Sequence, residues 1–211
     1  MFGAAFAKTS ASGSISDYIY RYQSGDERAA SQAVLGQGDI GFWIDGWTGG
    51  ETQLTAHVTL PCQNAARAVI TGEATSTFVY RGGAVVLTGA SRVFATRAMA
   101  AADMRATYQL NYTSCILRSV SANAGPGVQV LSVTPNQLPE IGQRTVGTRL
   151  LLSTAMNGKR IRLVVDLDET YKGRVESSVT LTQRYSGAQS TTSMHTAEIR
   201  YLHQIAQRIA P

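Results

Sequence analysis

The stretch TRLLLSTAMNGKRIRLVVD, residues 148–166, has an Asn-Gly pair at its centre. Asn157-Gly158 suits a two-residue type I′ hairpin loop, in which both central residues need positive φ. A loop there sets Leu150 opposite Val165, Leu152 opposite Leu163, Thr154 opposite Ile161 and Met156 opposite Lys159. That face is largely apolar. The other face has Arg149 opposite Asp166, with Ser153, Arg160 and Arg162. A one-residue slip would turn the apolar set to solvent, so the pattern specifies register as well as turn.

Working outward, Arg174 to Tyr185 alternates again, with Val175, Val179, Leu181 and Tyr185 against Arg174, Glu176, Thr180 and Arg184. This extends the hairpin into a three-strand meander from about 148 to 185. Gly82-Gly83 marks a second hairpin, pairing Tyr80 with Val85, Val79 with Val86 and Phe78 with Leu87. Leu54–Leu60, Tyr108–Leu117 and Val128–Val133 read as further strands, and Ile40–Ile44 as a short apolar one. Residues 95–106, rich in Ala and Met, read as a helix or a broad loop.

The ends differ in character. Residues 1–13 form a small, polar arm. Ser14–Gln23 reads as a helix with Ile15, Tyr18, Ile19 and Tyr22 on one face. The competing reading is a strand with Tyr18, Tyr20 and Tyr22 on one side. Ser24-Gly25-Asp26-Glu27 resembles a capping box for a second helix running to Leu35 and closed by Gly36. Residues 186–193 have the Gly/Ser/Thr composition of a linker. A helix over 196–209 then carries a stripe of Ile199, Leu202, Ala206 and Ile209. The expected organisation is an arm (1–13), a β-rich core with N-terminal helices (14–185), and a linker with a C-terminal helix (186–211). The expected fold class is mainly β, an antiparallel sandwich or twisted sheet.

The 211 residues suit one domain, and 44% hydrophobic content argues against disorder. The net charge is +5, almost all of it arginine, since Lys8, Lys159 and Lys172 are the only lysines. The arginines are scattered along the chain, so nucleic acid is the less favoured partner. No apolar run approaches a membrane-spanning length. Met1–Ala7 is too short for a signal peptide and lacks a basic start. Cys62 and Cys115 lie outside any CxxC pattern, which leaves a single disulfide and two separate buried thiols as equal readings.

The segment IRLVVDLDETY, residues 161–171, places Asp166-Leu167-Asp168 after an apolar strand. It resembles the first motif of the haloacid-dehalogenase phosphatases. The resemblance implies Asp166 as nucleophile, Asp168 as acid/base, magnesium nearby and a parallel α/β domain. It covers about ten residues, and no Asp follows Asp168 to supply that family's downstream metal ligands. Read from the residues alone, Asp166 pairs with Arg149 at a sheet surface, and Asp168-Glu169 fall in the following turn. His57, His195 and His203 do not cluster, and there is no nucleophile elbow or phosphate loop. No catalytic, metal or cofactor residues are therefore assigned.

Trp43 and Trp47 serve either as core or interface anchors, or as stacking platforms for sugar rings. Arg160 and Arg162, with Ile199, Leu202 and Ile209, complete the candidate contact residues. The expected function is a non-enzymatic structural or assembly subunit, of a virion or of a secretion or appendage structure, forming a homo-oligomer or larger assembly. The alternatives are a secreted carbohydrate-binding module and an Asp-dependent phosphatase.

Overall fold

The computed structural model describes residues 18–40, 46–52, 68–80, 83–107, 114, 116–117, 127–156, 158–185 and 188–209. Its strands are β1 (Ile19–Tyr20), β2 (Trp47–Thr52), β3 (Val69–Tyr80), β4 (Val85–Phe94), β5 (Gln129–Pro135), β6 (Arg144–Met156), β7 (Lys159–Lys172) and β8 (Val175–Arg184). The helices are α1 (Ser24–Gln32), α2 (Gln37–Ile40), α3 (Arg97–Thr107) and α4 (Ala188–Arg208). The strands form one mixed sheet in the order β1-β3-β4-β8-β7-β6-β5, with β2 also on β3. The protein is mainly β with helices near both ends, as the patterning implies.

Both hairpin registers match. Leu150 faces Val165, Leu152 faces Leu163, and Arg149 faces Asp166 across β6–β7. Gly158 takes φ 73°, the left-handed region that the turn demands. Asn157 lies outside the described residues. Across β3–β4, Tyr80 faces Val85 and Phe78 faces Leu87. β8 pairs antiparallel with both β4 and β7, so the meander is embedded in the centre of the sheet.

The sheet is covered on both faces. α1 and α4 pack on one, burying Leu35, Phe78, Leu87, Val179, Leu181, Leu202 and Ile205. On the other, α3 helps enclose Tyr18, Ile70, Phe94 and Ala100, and Ile116 packs on Leu150 and Leu152. Cover on both faces explains the main departures from the sequence reading. Side chains alternating with the apolar set were expected in water, yet Asp166 and Glu176 are both buried. Asp168 and Glu169 lie within β7, which runs to Lys172, and not in a turn.

Local readings also change. Residues 18–23 are extended, not helical. Ile19, Arg21 and Gln23 donate backbone hydrogen bonds to Ala68, Ile70 and Thr71, which places β1 parallel to β3. Tyr18 packs edge-on to both Tyr20 and Phe94, so the period-2 aromatic pattern prevails over the helical one. The capping box does not form. Gln23 occupies the N-cap with no side-chain cap bond, and Asp26 instead bonds Arg174 and Thr71. Ile40 is helical, as are Ser114, Ile116 and Leu117, where strands were expected. Within 95–106 the chain is helical from Arg97, as α3, and α4 begins at Ala188, within the stretch read as a linker. The arm 1–13 and the strand 54–60 lie outside the described residues.

Candidate functional site

The acidic segment of β7 reaches the layer beneath α4. Asp166, Asp168 and Glu198 are each 0% exposed. Arg149 clamps Asp166 through two hydrogen bonds, Nε to Oδ1 and NH2 to Oδ2, both 2.6 Å. Asn136 donates its Nδ2 to both oxygens of Asp168, at 2.9 and 3.2 Å. Burial pushes the Asp168 carboxyl up to about 7, and the Asp166 charge adds to the effect. Glu198 is pushed to about 10, first by burial and then by the charges of Asp168 and Asp166. Among the described residues neither Glu198 oxygen finds a donor, and His195 Nδ1 stands 3.9 Å from its Oε2. Glu198 is thus held as a neutral acid at neutral pH, with a carboxyl proton available to Asp166.

Gly147 makes room for this cluster. A Cβ there would lie 2.5 Å from Asp168 Oδ1 and 2.8 Å from both Asn136 and Leu138 side-chain atoms. Gly147→Ala should therefore destabilise the protein by about 1–3 kcal/mol, the usual cost of overpacking. Urea denaturation measures this, and an unchanged midpoint would show that the neighbours move aside freely.

A second polar cluster lies on the opposite face. Arg92 Nε is 3.3 Å from Glu73 Oε1, and its NH1 is 3.9 Å from Glu176 Oε1. Its guanidinium sits 5.4 Å from the centre of the Tyr18 ring, whose hydroxyl donates to Asp103 at 2.6 Å. Burial drives the Glu176 carboxyl far above the usual range and raises Glu169 to about 7. One buried cation thus serves several carboxyls.

Neither cluster matches the chemistry that the dehalogenase-like motif implies. β7 is an interior strand of an antiparallel meander, whereas that family needs a parallel sheet with crossovers. Asp166 is engaged by Arg149 and is 0% exposed. Among the described residues, no group of three or more His, Cys, Asp or Glu side chains could hold a metal ion.

Trp47 is partly buried, its ring centre 5.2 Å from that of Tyr80 at a 41° tilt, and it packs against the main core. Leu202 and Ile209 are 0% and 3% exposed and belong to the chain's own core, with Ile199 packed beside them. They dock α4 on its own sheet. Arg160 and Arg162 are exposed near the β6–β7 turn, beside Lys159. Trp43, Cys62 and Cys115 lie outside the described residues. No described helix is long and apolar enough to cross a membrane.

Clefts bordered by described residues include two. One of about 190 Å³ is bordered by α1, Arg97, the β7–β8 turn and the end of α4. The other, about 320 Å³, lies between residues 140–143, Lys172 and α4. Sequence reading missed both, because each gathers residues from distant segments.

No family model matches the chain, and no curated protein matches it. Solved structures with a similar arrangement include the extracellular domain of PknH from Mycobacterium tuberculosis. It is 9% identical with a TM-score of 0.43, over 84% of this chain and 96% of that one. Another is LpqN, involved in cell envelope biogenesis of Mycobacterium tuberculosis, 11% identical with a TM-score of 0.35, over 79% and 86%. A third is PA94 from Pseudomonas aeruginosa, of unknown function and described as a putative regulator, 10% identical with a TM-score of 0.32, over 76% and 84%.

Proposed function

We propose that this chain is a non-enzymatic structural or assembly subunit, of a virion or of an extracytoplasmic secretion or appendage structure, that assembles against an acidic partner. One observation supports the reading: its charge is sorted by depth. Among the described residues, eight acidic residues are buried (Asp26, Asp39, Asp103, Asp166, Asp168, Glu169, Glu176 and Glu198), against one basic residue, Arg92. The acids are thus spent inside the protein, on its own arginines or as neutral carboxyls. The surface is more basic than the net charge of +5 implies. Copies of such a surface repel one another and attract polyanions.

Light scattering at two protein concentrations, alone and with polyglutamate, tests the proposal. Larger complexes should form with polyglutamate at low salt and dissolve as salt screens the contact. A chain that stays monomeric under every condition would overturn the reading.

A further inference from the structure

We propose that the cleft bordered by α1, the start of α3, the β7–β8 turn and the end of α4 is a binding site for a phosphate group. Three arginines line it: Arg97, Arg174 and Arg208. They come from three separate segments, so their convergence is a property of the fold.

Two of the three are fixed in place by carboxylates. Arg174 donates through NH1 and NH2 to Asp26, at 3.1 and 2.7 Å, and through NH1 to the Phe94 carbonyl at 3.0 Å. Arg208 donates to both oxygens of Asp39 and to the carbonyls of Gln32 and Val34. A guanidinium has five N–H donors. Arg174 therefore keeps its Nε–H and one NH2 hydrogen, and Arg208 keeps one NH1 hydrogen. Their side chains are 40% and 36% exposed, so neither guanidinium is sealed in the interior. Arg97 is exposed and has no hydrogen bond or ion pair among the described residues, which leaves its whole fork open.

The charge balance favours an anion. Asp26 and Asp39 neutralise Arg174 and Arg208, while Arg97 is left in excess. The carbonyl-rich end of α4 would oppose an anion, but Lys172 Nζ caps the Ala206 and Ile209 carbonyls at 3.4 and 2.7 Å. A carboxylate offers two oxygens, which one arginine fork satisfies. A phosphate offers more, matching donors that arrive from three arginines. The cleft volume of about 190 Å³ accommodates a phosphate with a short stem, and Ala29, Val93 and Val175 give that stem an apolar wall.

Calorimetric titration of the full chain with sodium phosphate, at fixed ionic strength, tests the site. Saturable binding is expected, weakened at least tenfold by Arg97→Gln and unchanged by Arg184→Gln at the far end of the sheet. Arg97 supports no other described contact, so its substitution leaves the fold in place, which circular dichroism checks. Equal binding by Arg97→Gln and the unsubstituted chain overturns the proposal, as does a response that chloride reproduces. Sedimentation with phosphatidylglycerol vesicles separates two sources of the phosphate. Retention that Arg97→Gln abolishes assigns it to a lipid headgroup, and phosphate binding without retention assigns it to a soluble compound.

Discussion

Replacing Glu198 with glutamine is expected to raise the melting temperature near pH 8 and to leave it almost unchanged near pH 4.5. Glu198 is fully buried, and its carboxyl is raised from 4.5 to about 10. An acid with a raised folded-state pKa binds its proton more tightly when folded. As pH rises above 4.5, the unfolded chain releases that proton and the folded chain keeps it, so stability falls until the folded group also titrates. Each pH unit in this window costs about 1.4 kcal/mol at face value, and after structural relaxation the net penalty near pH 8 is about 2–4 kcal/mol. Glutamine removes the penalty while keeping the shape. For a chain of this size the gain is on the order of 5 °C or more. Asp168 and Glu169, both raised to about 7, steepen the decline between about pH 4 and 7. The variant should therefore flatten the upper part of the profile, from pH 7 to 10. A melting temperature that falls equally with pH in both proteins would show that Glu198 is not held neutral.

Arg92→Gln is expected to be the most damaging single substitution among the charged residues. Arg92 is 3% exposed and faces Glu73, Glu176 and the Tyr18 ring. Removing one side of a buried ionic group leaves the other uncompensated, at a cost of about 3–5 kcal/mol. The loss should be larger at pH 8 than at pH 5, because protonated carboxyls need less compensation. Urea unfolding at both pH values measures it. A cost below about 1 kcal/mol, or one that ignores pH, would mean that the cluster is already neutral without arginine.

The hairpins were legible because local chemistry and patterning agreed. Asn157-Gly158 demanded a turn, and Leu150, Leu152, Leu163 and Val165 fixed its register; even the Arg149–Asp166 pairing followed. The depth of that pair was not legible. Alternation shows which residues share a face, but it does not show whether a helix from elsewhere covers that face. α4 does so here, and its first two turns look like linker by composition. Tyr18, Tyr20 and Tyr22 fitted two periods, and the choice depended on β3, about fifty residues away. The three-arginine cleft left no trace in the sequence, because Arg97, Arg174 and Arg208 are far apart along the chain.

The central position of β8 has a consequence for how the protein is made. β8 follows the other seven strands in the chain, yet it lies between β4 and β7. Until it emerges from the ribosome, the early sheet of β1–β4 and the later strands β5–β7 share no strand. The outer edge of β4 (Val85–Phe94) stays unpaired for the time needed to synthesise about eighty more residues, at roughly 5–20 residues per second. An open strand edge is a template for pairing with other chains. The nascent protein therefore passes through a vulnerable interval of several seconds, in which a chaperone covering that edge would protect it from pairing with other chains.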